Sequence, residues 1–414
     1  MRPRSIFASA CLFLLPALAN AAEPGAKPAP IPLAQPIATS ASANAFNAAA
    51  YGALRGEPGN LFFSAPSLRQ ALGIATFGAR GDTAKQMQSV LRASADPDAM
   101  ADDAKRETTD FDAAKGNATL SIANRLWADK TFTMSPSFTG VASKAYGAPL
   151  ANVDFAHQPD QARQTINGWV AGKTNDKIKD LLPPGSIQPS TPLVITNAIY
   201  FKGNWATAFQ KTATRDQAFF VDGKTAAQVP TMHQLASFKI AQKDGVKMLE
   251  MPYEKSDLAM DILLPDAKDG LPALEDKIVS GKLGTWTGAL SYGKVDVSIP
   301  KLTFSWGGSV KKQLQGMGMT DAFDRDRADF TGISSRNDTP KLWIDNVIHK
   351  AFVAIDEVGS EAAASTAVIF ARESATSAEP PPVPFVADHP FVFVIRDTKH
   401  DRVLFMGRVT NPKA

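Results

Sequence analysis

The stretch "PLVITNAIYFKG", Pro192 to Gly203, constrains the fold more than any other segment. It is a nearly continuous apolar, β-branched run without period-two alternation, as expected of a central strand buried on both faces. A sheet holding such a strand needs cover on both sides, and the rest of the chain is read against that demand. "ASANAFNAAAYGAL" places Phe46, Ala50 and Leu54 at helical spacing from about Ala41. Further helices are predicted near 67–78, 83–93 and 159–182, the last ending at Leu181-Leu182-Pro183-Pro184. "KVDVSIPKLTFS", "FVFVIRD" and "RVLFMGRV" alternate at period two and read as half-buried strands. Helices come first and strands later, with no regular βαβ alternation and no internal repeat. That order predicts an α+β fold rather than a doubly wound sheet.

The N-terminus "MRPRSIFASACLFLLPALANAAEPG" has a basic start, an apolar run from Ile6 to Ala19 and an Ala19-Asn20-Ala21 cleavage signature. This three-part pattern predicts a secretory signal peptide over 1–21, too short in its apolar part to span a bilayer comfortably. Residues 22–40, rich in Pro and Ala, read as an extended linker, and 41–414 as the folded domain. The style of leader and linker suggests a Gram-negative bacterial source and a secreted or periplasmic location. Cys11 is the only cysteine and lies in the leader, so the mature chain is expected to hold no disulfide, thiolate metal site or cysteine nucleophile. The net charge of +3, less Arg2 and Arg4, falls to about +1, too balanced for recruitment by nucleic acid or an anionic membrane.

No motif marks an enzyme. His157, His233, His349, His389 and His400 have no histidine at i, i+3 or i, i+4, and HExxH, CxxC and EF-hand patterns are absent. "GGSVK" lacks the second glycine of a nucleophile elbow, and no phosphate-binding glycine loop follows a strand. A hydrolase would need a site assembled from dispersed residues, which nothing in the sequence marks. No cofactor and no metal are expected.

"FVADHPFVFVIRD", Phe385 to Asp397, resembles the C-terminal signature of the serpin family: an apolar triplet, Asp, a polar residue, Pro-Phe, then an apolar run. The resemblance extends over roughly Asn60 to Pro412. "NLFFSAPSLRQAL", "GARGDTAKQM", "TINGWVAGKTNDKI", "TNAIYFKGNW", "EMPY", "LLPD", "GMGMTDAF" with "ADFTGI", and "HKAFVAIDEVGSEAAAST" follow in the family's order. Two departures stand out. Ala65-Pro66 replaces the usual Pro directly after Ser64, and "WIDNVIHK" carries Asp345 where a small polar residue is common. The resemblance implies a helical N-terminal half, a large central sheet, two smaller sheets and an exposed C-terminal reactive loop at 357–384. It implies a suicide inhibitor of serine proteases and not an enzyme: the target cleaves the loop, and the cut strand inserts into the central sheet.

The loop sequence suits that demand. Ser360, Ala362, Ala364, Thr366, Val368 and Phe370 put small or apolar residues on one face of a period-two strand. Glu361, Ala363, Ser365, Ala367, Ile369 and Ala371 form the other face, and no proline interrupts 357–379. Composition alone reads this stretch as a surface helix or an Ala/Ser linker. The hinge is expected to run from Glu357 and Val358 through Gly359, which supplies flexibility, to Thr366. Family spacing from Glu357 selects Glu373, followed by Ser374, as the scissile residue. A loop one residue shorter selects Arg372, preferred slightly because Arg is a strong primary determinant; Phe370 and Ala371 remain open. The resemblance further implies that Glu357 pairs with Lys301 and that Trp205 packs beneath the point of insertion. It also implies a buried polar cluster of Asn60, Ser64, Ser67, Asn197 and His349 near the sheet's centre. The expected partner is a target serine protease held as a covalent acyl complex by a monomer, with cysteine proteases as a second class. The alternative function is a non-inhibitory binding or carrier protein of the same fold. Six acids against four bases in 84–110 give no basic helix for a polyanion activator.

Overall fold

The structure, a computed structural model, describes residues 39–147, 150–221, 223–334, 341–360 and 380–413. The leader, most of the linker, and loop residues Glu361 to Thr366 and Arg372 to Ser374 lie outside the described residues.

Six helices fill most of the first half: α1 (Thr39–Leu54), α2 (Ala65–Gly78), α3 (Gly81–Leu91), α4 (Pro97–Ala114), α5 (Pro136–Tyr146) and α6 (Pro159–Lys173). Shorter α7 (Leu271–Val279), α8 (Leu283–Thr287) and α9 (Lys311–Gly316) follow among the later strands. Ser64 caps α2 by accepting from the Ser67 amide, and Pro66 sits in the first turn, where a missing N–H costs nothing. The unusual Ala65-Pro66 order is thus accommodated. Helix α3 ends two residues before the sequence pattern predicts, because Arg92 takes up left-handed geometry (φ 52°). Helix α6 stops at Lys173 rather than 182: Asn175 and Asp176 both have positive φ, which breaks the helix. Ile178, Leu181 and Leu182 are buried all the same, as an irregular strap.

The central sheet has six strands. Its order is β10 (Leu302–Ser309), β11 (Asn346–Ile355), β4 (Leu193–Asn204), β2 (Thr119–Asp129) and β3 (Ala151–Val153), with the two-residue β12 (Gly359–Ser360) on the end of β4. The second sheet has nine strands. It runs β1 (Leu61–Phe63), β15 (Arg402–Val409), β14 (Phe391–Asp397), β8 (Leu258–Pro265), β7 (Val246–Pro252), β6 (Ala226–Lys243), β9 (Ser291–Pro300) and β13 (Val383–Val386), with β5 (Arg215–Phe220) on β6. The two smaller sheets implied by the resemblance are continuous here, because the 18-residue β6 pairs with β9 and β5 and then with β7. "KVDVSIPKLTFS" does not form one strand. The chain turns at Pro300–Lys301, leaving the second sheet as β9 and joining the central sheet as β10.

Strand β4 is buried on both faces. Leu193, Ile195, Ile199 and Phe201 face the main core, where Phe201 meets Phe405 of β15 at 5.7 Å between ring centres. Val194 and Ala198 face the other way, into a layer with Trp127, Ile166 and Val170 beneath α6. The Arg125 guanidinium lies over Trp169 of α6 at 4.2 Å and over Trp127 at 5.0 Å, fixing that helix on the sheet. The strap after α6 crosses β11, with Lys350 Nζ donating to the Asp180 carbonyl at 3.1 Å and Lys177 over the Phe352 ring.

Candidate functional site: a strand slot with its hinge in place

The neighbours β4 and β11 run parallel, paired from Val194↔Asn346 to Tyr200↔Phe352. Every other β4 and β11 pairing among the described residues is antiparallel, so a strand running antiparallel to both would turn this parallel seam into two antiparallel pairings. Beyond Tyr200, β4 continues to Asn204 without β11 beside it, and there β12 occupies the vacated edge: Gly359 pairs with Asn204 and Ser360 with Gly203, antiparallel.

The hinge is held from several sides. The Asp356 carboxylate accepts from the amides of Val358 (2.9 Å) and Gly359 (3.2 Å), making the turn that sends the chain into the sheet. The Trp205 amide donates to the Val358 carbonyl and the Phe209 amide to the Glu357 carbonyl, each at 2.8 Å. Trp205 lies under the mouth, stacked on Tyr253 with ring centres 4.9 Å apart, and its Nε1 donates to the Asp356 carbonyl. Lys301, at the Pro300–Lys301 corner, donates to both Glu357 oxygens at 2.7 and 3.0 Å, and Thr214 donates at 2.8 Å. Burial alone would raise the Glu357 carboxyl; these bonds to Lys301, its own amide and Thr214 hold it below its usual range.

Gly359 is also required for a steric reason. A Cβ there would meet the Gly203 carbonyl oxygen at 2.0 Å and Asn204 Cα at 2.6 Å, so the residue must be glycine for the backbones to approach. Ser360 is fully buried, and its hydroxyl lies 2.7 Å from the Tyr253 hydroxyl. Val358 is buried too.

Halfway down the seam lies a polar cluster. Asn124, Asn197 and His349 are direct register partners on β2, β4 and β11, forming one row across three strands. Asn197 Nδ2 donates to Ser67 Oγ of α2 at 2.6 Å and to Asn124 Oδ1, while Asn124 Nδ2 donates to the Ser67 carbonyl. His349 Nδ1 donates to Asn197 Oδ1, which fixes the neutral tautomer with a bare Nε2. Two expected members lie elsewhere. Asn60 accepts from the amides of Thr410 and Asn411, so it pins the C-terminus rather than the seam. Ser64 caps α2 by accepting from the Ser67 amide. Asn124, Asp356, Thr214 and Tyr253 are site residues that sequence reasoning missed. Only strand register and tertiary approach bring them in, although the turn-forming Asp356 before Glu357 was a usable signal.

Burial pushes the His349 imidazole down to about 3, so it is neutral at physiological pH. A base whose folded value lies below its unfolded one destabilises the fold once the unfolded chain begins to take up protons. Stability from this site is therefore complete above about pH 6.5 and lost as pH falls toward 3. Between pH 7 and pH 5 the loss is about 2 kcal/mol, and His349→Gln, which can still donate to Asn197, should lack it. Denaturant unfolding of both chains at the two pH values measures the difference, with other titrating groups cancelling.

The site is thus a parallel seam headed by a buried antiparallel hinge. The sequence profile described as serpin (serine protease inhibitor) matches residues 41–412. The chain is 36% identical to human leukocyte elastase inhibitor over 364 residues, covering 86% of this chain and 93% of that protein. It is 37% identical to mouse antithrombin-III over 362 residues, covering 85% and 76%. The crystal structure of Serpin48 from the insect Tenebrio molitor superposes with a TM-score of 0.81 at 31% identity, covering 90% of this chain and 98% of that one. The chain belongs to the serpin family, and its α+β fold is the serpin fold.

Proposed function

We propose that this chain is a suicide inhibitor of serine proteases, trapping its target by inserting the cleaved loop between β4 and β11. The observation that carries the reading is the buried hinge: Ser360 already sits in ladder register with Gly203 at the head of the slot. Continuing that register would pair Glu361 with Lys202, Ala362 with Phe201 and Thr366 with Asn197. Phe370 would face Leu193, where β4 begins. The core-facing positions would then be Ser360, Ala362, Ala364, Thr366, Val368 and Phe370, the small or apolar set. Thr366 would take the place beside Asn197 that His349 holds in the uncut protein, so the polar row is the latch that a new strand must part.

The protease's serine Oγ attacks the scissile carbonyl; the peptide C–N bond breaks, and the new amine leaves on the C-terminal side. The N-terminal side remains as an ester. Insertion outruns hydrolysis of that ester and carries the protease along β4. A cut at Phe370 or before would leave the acylated residue inside the slot. Cuts at Arg372–Glu373 or Glu373–Ser374 place it beyond the β4 end, so these two bonds are favoured, Arg372–Glu373 first. Export is part of the same reading: the leader pattern would deliver the chain, cut after Ala21, to an extracytoplasmic space where it meets proteases.

Incubation with trypsin, elastase and a glutamyl endopeptidase, followed by denaturing electrophoresis and mass spectrometry, tests the proposal. A denaturant-stable adduct with release of a peptide beginning at Glu373 or Ser374 is expected. Loop cleavage with no adduct and full protease activity would instead support a binding or carrier protein, and an adduct with a cysteine protease alone would reassign the target class.

A further inference from the structure

At Lys239 the second sheet divides. Strand β6 pairs there with β9 on one side, through Tyr292↔Lys239, and with β7 on the other, through Lys239↔Glu250. Register partners share a face, so Tyr292, Lys239 and Glu250 form one row across three strands. Beyond that row the pairing of β6 with β7 stops: Pro252 has no partner on β6, and the two strands splay apart beside Ser237 and Phe238. The splay leaves a cavity of about 140 Å³, with Lys239 and Glu250 in its wall and Tyr292, 76% exposed, beside it. Glu250 is buried and held in place, one oxygen accepting from Lys239 Nζ and the other from Arg396 Nη2, each at 2.7 Å. Each of those oxygens keeps a second lone pair, and the partly exposed Lys239 ammonium keeps N–H groups to give. The Ser256 and Thr398 hydroxyls are already committed, to the Ala114 and Asp257 carbonyls. Phe238, Pro252 and Leu258 supply apolar wall.

We propose that this cavity is a carbohydrate site, taking one neutral pyranose ring stacked on Tyr292 with its hydroxyls on Glu250 and Lys239. The charges decide the class of ligand. An anion would meet the Glu250 carboxylate, and a cation would meet Lys239 and Arg396, in a wall whose charges already compensate one another. A wholly apolar ligand would strip water from Glu250 and Lys239 and return no hydrogen bond. A neutral ring bearing several hydroxyls accepts from Lys239 and donates to Glu250, while its C–H face lies on the exposed aromatic ring. The cavity has the volume of about five waters at ~30 Å³ each, enough for one such ring and no second. The ligand is therefore a free sugar or the terminal unit of a glycan. No residue of the strand slot or the loop takes part, so the site stands independently of the inhibitory reading.

Saturation-transfer NMR and calorimetric titration of the full chain with the methyl glycosides of glucose, galactose, mannose and N-acetylglucosamine test the site. At least one should bind with a Kd of about 1–10 mM, the range open to a ligand of this size. Tyr292→Ala should weaken that binding about tenfold or more with an unchanged melting temperature, because the side chain is exposed. Tyr292→Phe should bind within about twofold of wild type, since the ring and not its hydroxyl does the stacking. An oligosaccharide ending in the preferred sugar distinguishes the sources, and either result supports the site: equal affinity marks a free sugar, and about tenfold tighter binding marks a glycan. Absence of binding by every glycoside up to about 100 mM overturns the proposal, as does equal binding by wild type and Tyr292→Ala. Tighter binding of glucuronic acid or glucosamine than of the neutral sugars overturns it too.

Discussion

If the chain traps proteases as proposed, Ser360→Arg is expected to be cleaved as a substrate without trapping them. Ser360 is the first core-facing residue of the strand to be inserted; it is fully buried and within hydrogen-bond distance of the Tyr253 hydroxyl. An arginine there can stay in water only if the hinge leaves the slot. To insert, it must bury an unpaired guanidinium among Phe201, Trp205 and Tyr253, which costs several kcal/mol. Trapping is a race between insertion and hydrolysis of the acyl ester, so a barrier raised by about 3 kcal/mol slows insertion by roughly 100-fold. Hydrolysis then wins. The expected result is loss of the denaturant-stable adduct, stoichiometric loop cleavage and active protease at the end. The uncut variant should lose only about 2–4 °C of melting temperature, since the two-residue pairing with β4 and the hydroxyl contact that the hinge gives up together contribute about 2–3 kcal/mol. Persistence of the adduct at wild-type yield would show that the hinge position is not the leading edge of insertion.

Asn197→Ala is the second large effect, and it acts on the uncut protein. The Asn197 amide is the hub of the latch: it donates to Ser67 Oγ and Asn124 and accepts from His349. Removing it leaves three buried polar groups short of partners, each costing about 1–3 kcal/mol and together about 3–5 kcal/mol, because neighbours in one network do not add simply. For a chain of this size that lowers the melting temperature by about 4–6 °C. The loss also falls on the contact that joins β4 to β11. The seam should open more readily without cleavage, so inhibitory capacity should decay several-fold faster during incubation at 37 °C. Calorimetry and titration of residual adduct formation over time check both parts. A melting temperature and decay rate equal to wild type would remove the polar row from the account.

How much of this was legible in the sequence depends on whether the signal is local. β4 was readable because its apolar run has no polar face to misassign. Helices α4 and α5 were not read, since α4 buries only Met100, Ala104, Glu107, Phe111 and Ala114 amid a mostly charged and small-residue sequence. The chain's turn at Pro300–Lys301 was hidden because apolar alternation continues through it, although Pro300 itself was the available warning. Lys301 pairs with Glu357, and Trp205 Nε1 donates to the carbonyl of the adjacent Asp356. Asn124 sits in "SIANRLW" with nothing to distinguish it from a surface asparagine. Its place in the latch follows only from strand register. Asn60 shows the converse: its motif was recognised, but its partners lie at the far end of the chain.

The central claim is that a strand waits outside the sheet and that cleavage lets it in. The most direct measurement is the melting temperature of the uncut protein against that of the same protein nicked in the loop by a catalytic amount of protease, with both fragments retained. The account predicts a rise of about 10 °C or more, because insertion fills the parallel β4–β11 seam with antiparallel pairs and buries a full apolar face. A melting temperature that is unchanged or lower after the cut would contradict it.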